Sequence, residues 1–541
     1  MYTVGLELAW ASLRVPGISK CLRPSLILLI LAMLGLVTDS AVGQITTRVS
    51  LGASGTQGNS NSFHPSISAD GRYVAFFSYA TNLVPGDTNG SSDVFVHDRQ
   101  TGQTTRVSVD SSGGQGNERS HYPSLSADGR YVAFDSYATN LVGDTNRDWD
   151  VFVHDRQTGQ TTRVSVDSSG GQGNNGSFWP SISAGGRYVA FSSSATNLVP
   201  GDTNGYLDVL VHDRQTGQTT RASVFGAQGN GDSLGRLSIS ADGSCVAFNS
   251  YADNLVPGDT NGDWDVFVHD RQTGQTTRVS VDASGAQGNG GSYYPSITAD
   301  ARFVAFASDA PNLVPGDTNG VQDVFVHDRQ TGRTTRVSVD ASGAEGDNDS
   351  AYPSITADGR YVAFYSDASN LVPGDTNWYV DVFVHDRQTG QITRVSVDAS
   401  GAEGDDDSTY PSISADGRSV AFSSLATNLV PGDTNGFADI FVRGPELTLE
   451  ADPLVVSGGD VLVLTTYRGV PGNEASLWAV EVDSTPIFTL IFLGSFPADG
   501  RFVVSGIVPG GLASMALTFR GYCIGQSGSL ETTNDVTVSF Q

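Results

Sequence analysis

One phrase governs what this chain can fold into. Gly258–Ser280 reads GDTNGDWDVFVHDRQTGQTTRVS, and close variants of it return along the sequence. Its His-Asp-Arg triplet stands at His97, His154, His212, His269, His327 and His385, spaced by 57 or 58 residues. A second marker, PSISADGRYVAF and its variants, begins at Pro65, Pro123, Pro180, Leu237, Pro295, Pro353 and Pro411. Seven units of about 58 residues thus fill roughly 400 residues. Such a period means that one supersecondary unit buries its faces against copies of itself.

Each unit reads as four short strands. PSISA is the first, DGR a turn that uses glycine for positive φ, and RYVAFFS the second. After a longer loop come DVFVHD, the turn RQTG and QTTRVSV. The second and third strands are almost continuously apolar, as strands covered on both faces are. Four-stranded sheets repeated radially make a β-propeller. The seventh unit stops near Gly444 without a fourth strand, whereas ITTRVS at 45–50 supplies such a strand with nothing before it. The expectation is an all-β, seven-bladed propeller over 44–443, closed by its N-terminal strand so that open edges are protected.

The same residues carry a family resemblance. SADGRYVAFFS…DVFVHDRQTGQTTRVS resembles the TolB-type, WD40-like (PD40) repeat of exported bacterial propellers, with Ala69 and its equivalents where the family commonly has proline. The resemblance spans all seven units. It implies the propeller fold and, for function, a periplasmic protein-interaction module or a gating domain on a serine peptidase.

Charge narrows the partners. The net charge is −28, so a nucleic-acid partner is excluded, because a phosphate backbone needs a basic footprint. Lys20 is the only lysine, and every other cationic side chain is an arginine, able to fork onto carboxylates. Arg14, Lys20 and Arg23 precede an apolar run at Ser25–Val37 that is short for a membrane span, and small residues follow at Ala41–Gly43. Residues 1–43 therefore read as a signal peptide. Its removal leaves no membrane span and places the protein outside the cytoplasm, periplasmic or secreted. Residues 444–541 lose the repeat and read as short strands of a small Ig-like β-sandwich. Cys245 and Cys523 fall in different expected domains, so no disulfide is expected.

The loop between second and third strands carries GDTNGxxD. Its oxygen donors stand at Asp87, Asn89 and Asp93, at Asp259, Asn261 and Asp265, at Asp317, Asn319 and Asp323, and at equivalents in the other units. Alternating oxygen ligands beside a glycine suit a loop wrapped around Ca²⁺, and an aspartate-capped turn uses the same residues without metal. The His-Asp-Arg triplets repeat around the ring, whereas an active site is single and concave. They are expected to be structural, aspartate and arginine pairing around the turn while histidine bonds locally. No residue is assigned a catalytic role.

Differences between units concentrate in the loop before the first strand and in the tip after DTN, two places that an up-and-down blade puts on one rim. The residue leading into the first strand is His64, Tyr122, Trp179, Arg236, Tyr294, Tyr352 or Tyr410. The tips add Trp149, Trp264 and Trp378, with acidic runs at Glu345–Asp349 and Glu403–Asp407 beside them. An aromatic, acidic face suits sugar rings or a peptide with basic side chains. The expectation is a non-enzymatic extracytoplasmic propeller that binds a protein or glycan there. Its rivals are a calcium-stiffened surface or adhesion protein, and a propeller hydrolase or lyase with metal in the channel. His64 and His121, the histidines outside the triplets, are the hint for the last.

Overall fold

A computed structural model describes residues 44–52 and 55–445, together with the backbone of short strands between 454 and 539. Seven four-stranded antiparallel sheets follow one another around a ring. In the first blade the strands are Ser62–Ile67, Tyr73–Ser78, Asp93–Asp98 and Gln103–Arg106. The six units that follow repeat this order, except that the seventh contributes only three strands of its own. Its fourth is Ile45–Arg48, paired antiparallel with Asp439–Gly444 through Ile45↔Gly444 and Arg48↔Phe441. The seven-bladed ring and its N-terminal closure are as the repeat predicts. The expected signal peptide lies outside the described residues. So does a sandwich at 444–541, of which only two-stranded ladders such as Leu454–Val456 with Asp460–Leu462 are described.

The core lies in the seams between blades. In the first seam Ala75, Val94 and Val96 of blade 1 pack on Leu125, Val132, Phe134 and Phe152 of blade 2. The closing seam does the same with Val49, Ile440 and Val442 against Val74, Phe76 and Phe95. Both faces of every inner sheet are therefore covered, which explains why the second and third strands show so little alternation. Burying one such phenylalanine contributes roughly 1.5–3 kcal/mol.

Two rings of hydrogen bonds line the axis. Ser66 Oγ accepts from Leu125 N of the next blade at 3.1 Å, and the equivalent serine–backbone bond recurs at all seven junctions, up to Ile67 N on Ser412 Oγ. Below it, Ala69 N donates to Ala127 O at 2.9 Å, with counterparts around the ring. The serine of PSISA is thus a circumferential clamp, which accounts for its repetition.

Candidate functional site: the channel mouth

The GDTN loops fold onto an arginine. Arg106, from the fourth strand, lies 3.5 Å from Asp87 and 3.2 Å from Asp93, while Gln115 of the next unit donates to both carboxylates. Asn89 Nδ2 donates to Gly116 O at 2.9 Å and to Asp93 Oδ2 at 3.3 Å. Arg278 sits likewise between Asp259 and Asp265, with Asn261 on Gly288 O. Arg336 sits between Asp317 and Asp323, with Asn319 on Gly346 O. Burial pushes Asp93 above the ordinary carboxylate range despite Ser108 and Arg106, and Asp317 rises to about 6 through burial and its neighbour Asp323. The charge between each carboxylate pair is thus a guanidinium. Among the described residues no group of three or more His, Cys, Asp or Glu side chains is arranged to hold a metal ion.

The His-Asp-Arg triplets are structural, but the pairing is not the one expected. Asp98 receives a bidentate fork from Arg72 of the DGR turn, at 2.9 and 2.8 Å, and not from Arg99. The antiparallel register sets Tyr73 opposite Asp98, so Arg72 is the cation within reach. Arg99 donates instead to Gly71 O at 2.7 Å. In the following units the triplet arginine also reaches back across the seam. Arg156 covers Tyr73 at 4.2 Å while Arg72 covers its other side at 4.8 Å, and Tyr131, Tyr188 and Phe303 are flanked in the same way. His97 is buried and its pKa falls to about 4. Thr104 Oγ1 donates its single proton to Leu51 O, so His97 Nδ1, 3.0 Å away, must be the donor to that hydroxyl.

At the mouth, a backbone irregularity aims the variable side chains. In blade 1 the register passes from Phe63↔Phe77 to Ser66↔Ala75, one residue too many on the first strand. This bulge holds His64 at φ 51°, and Tyr122, Trp179, Tyr294, Tyr352 and Tyr410 sit at φ 46–55°. A non-glycine side chain there costs of order 1 kcal/mol, and bulges of this kind re-aim side chains. The rings meet as a horseshoe: Trp179–Tyr122 at 6.3 Å, Tyr122–His64 at 4.9 Å, His64–Tyr410 at 3.9 Å, Tyr410–Tyr352 at 5.0 Å and Tyr352–Tyr294 at 3.9 Å. The horseshoe is open at blade 4. There the register runs from Leu234↔Asn249 to Ser238↔Ala247, two residues too many, and Gly235 takes the left-handed conformation (φ 93°) ahead of Arg236.

All seven leading residues are half-buried, so this tier packs on itself at the axis rather than standing out from it. A second tier surrounds it. Trp149 stacks on His121 at 5.3 Å beneath Arg119, and Trp264 touches Tyr251. Trp378 projects alone, 89 % exposed. His64 and His121 do not converge on a common point: His64 stacks on Tyr410, whereas His121 Nε2 bonds Ser92 Oγ at 2.7 Å. Burial, then Arg236 and His121, lower the His64 pKa to about 3. The acidic sector lies toward blades 5 to 7, where burial together with Asp349 and Asp407 holds Asp367 above its usual range.

Residues that sequence reading passed over lie directly under this collar. The second strand repeats YVAF and then varies, giving Phe77, Asp135, Ser192, Asn249, Ala307, Tyr365 and Ser423. Asp135 Oδ2 accepts from Trp179 N at 2.9 Å, and burial raises its pKa well above normal. Asp135 Oδ1, Ser192 Oγ, Asn249 Oδ1 and Ser423 Oγ are buried without hydrogen-bond partners. A variable position inside an otherwise repeated strand was the available signal. Residues 231–235 also spell GDSLG, the letters of a G-x-S-x-G nucleophile turn. Ser233, however, is fully buried at the start of a strand with its Oγ on Ser250 Oγ at 2.8 Å, so it is structural.

No known family model and no curated protein sequence matches the chain. Solved structures of similar fold include an oligogalacturonate lyase in complex with manganese, at 15% identity and a TM-score of 0.44 over 75% of this chain and 94% of that one. TolB from Acinetobacter baumannii is similar at 16% identity and a TM-score of 0.34, over 70% and 81%. A prolyl endopeptidase is similar at 11% identity and a TM-score of 0.43, over 87% and 54%. At these identities the likeness is one of fold.

Proposed function

For this TolB-like seven-bladed propeller we propose an extracytoplasmic, non-catalytic binding role, with a protein or glycan held across the channel mouth. The observation that carries the reading is the placement of variation. Seams and turns repeat nearly unchanged, while the mouth carries His64, Trp179 and Arg236 on three blades and tyrosine on the other four, and pays in backbone strain to aim six rings at the axis. Half-buried rings with polar tips give area and orientation together, as binding surfaces require.

The test is an array of acidic and neutral glycans probed with the full chain and with the triple variant Tyr294→Ala/Tyr352→Ala/Tyr410→Ala. Binding lost in a variant that still melts cooperatively supports the proposal, and identical profiles sink it. A catalytic reading would rest on Asp135, a buried carboxyl with an unpartnered oxygen beside Tyr122 and Trp179. Turnover of an array glycan by the parent protein, abolished in Asp135→Asn, would replace the binding proposal.

A further inference from the structure

Arg236 differs from every other interior arginine. Arg72, Arg106, Arg130, Arg278 and their counterparts hold carboxylates, and Arg99, Arg156, Arg214 and Arg271 hold backbone carbonyls. Among the described arginines that are not exposed, Arg236 alone makes no hydrogen bond, ion pair or cation–π contact. It stands in its blade's first strand among the residues that lead into the channel, and burial, then its charge, lower the His64 pKa. None of its nitrogens is among the buried unpartnered atoms, so the guanidinium is open to a ligand, although in a chain of net charge −28 carboxylates to pair with it are plentiful.

The surroundings are also unsatisfied. A Cβ on Gly235 would stand 3.0 Å from Asn249 Oδ1, so that amide lies against the backbone that presents Arg236. Asn249 Oδ1 lacks a donor. Ser192, in the preceding blade at the position from which Asp135 receives Trp179 N, has an unpartnered hydroxyl. An open forked cation at a gap in an aromatic horseshoe matches one chemistry: a carboxylate on a ring that the aromatic faces can cover.

We propose that Arg236 seats the carboxylate of a sugar acid in the gap at blade 4. The inference rests on reading the mouth as the binding face and names the ligand's chemistry there. Arg236 supplies paired N–H donors to the two carboxylate oxygens, and the flanking rings cover the sugar face.

Calorimetric titration of the full chain with D-glucuronate and, as the neutral counterpart, D-glucose tests it. Glucuronate should bind at least about tenfold more tightly than glucose, and Arg236→Gln should remove that preference without lowering the melting temperature. Arg236→Lys, which keeps the charge and loses the fork, should fall between. Absence of glucuronate binding, equal affinity for glucose, or undiminished binding by Arg236→Gln would overturn the inference. If the tyrosine triple variant loses array binding while the parent ignores glucuronate, the mouth reading stands and the Arg236 seat falls. If the triple variant keeps array binding while Arg236→Gln loses glucuronate, the seat stands and the tyrosine rim falls.

Discussion

Arginine meets aromatic rings at both ends of a blade, and the two meetings differ in kind. At the seams Tyr73 lies between Arg72 and Arg156, with Arg72 locked to Asp98 and Arg156 to Gly129 O. Each of these cations has its oxygen partner, and the motif recurs from blade to blade, with only Arg271 Nε of these guanidinium atoms buried and unpartnered. At the mouth the rings pack on one another, several polar atoms beneath them lack partners, and Arg236, the one arginine among the seven leading residues, has none. Repetition with cations seated on carboxylates and carbonyls marks what holds the ring together. Variation with unmet bonds marks what remains for another molecule.

The most damaging way to test the seam side is Arg48→Leu. Arg48 brings the closing strand's cation to Asp433 and Asp439, at 3.0 and 3.1 Å, all three side chains being nearly buried. Its loss leaves two buried carboxylates unpaired, so urea unfolding of the full chain at pH 7 should show a deficit of about 3–5 kcal/mol. Burial already holds Asp433 above its unfolded pKa, and removing the cation raises it further. A carboxyl raised in this way destabilises the fold above its unfolded value, near pH 4, and ceases to do so once protonated. The deficit should therefore shrink as the pH falls from 7 toward 4. A deficit independent of pH would show that Arg48 acts through packing alone.

A second test uses a compensation found at one seam. Gly129 stands at φ 68°, and a Cβ there would come within 2.3 Å of the Tyr73 ring. The unit-four seam has Cys245 in the tyrosine position and Ala301, at φ 59°, in the glycine position. Gly129→Ala should cost about 2–4 kcal/mol, and adding Tyr73→Cys should return about 1–2 kcal/mol of it. Strict additivity of the two changes would break the proposed coupling.

The smallest expected effect concerns metal. With a guanidinium between each Asp87–Asp93 type pair, thermal melts in millimolar calcium and in excess chelator should coincide, because the arginine already supplies the positive charge that a bound cation would bring. A large upward shift with calcium would restore the stiffened-surface reading of the GDTN loops.

Much of the fold was legible because the repeat states the blade seven times, and because ITTRVS supplies the strand that the seventh unit lacks. The leading residues were found through variation between otherwise equal units. What stayed hidden depends on register and backbone geometry. The Asp98 partner is Arg72 because antiparallel pairing brings the DGR turn beside it, although Arg99 is nearer in sequence. The arginine that fills the GDTN loop lies thirteen residues beyond Asp93, on another strand. The left-handed φ of a tyrosine leaves no mark on the alphabet. The Cys245–Ala301 pair, by contrast, was visible as two simultaneous departures in neighbouring units, and only the packing says why they go together.

The closing strand has a consequence in time. Ile45 pairs with Gly444, so nearly 400 residues separate the two sides of the last ladder. At a synthesis rate of roughly 5–20 residues per second, the second side follows the first by roughly 20–80 s. Through that interval the segment that finishes the ring is the earliest part of it to exist and the last to find its place. Six blades can stack on their predecessors as they emerge, whereas the circle is completed by a strand that must be kept from pairing with any other open edge until the seventh arrives.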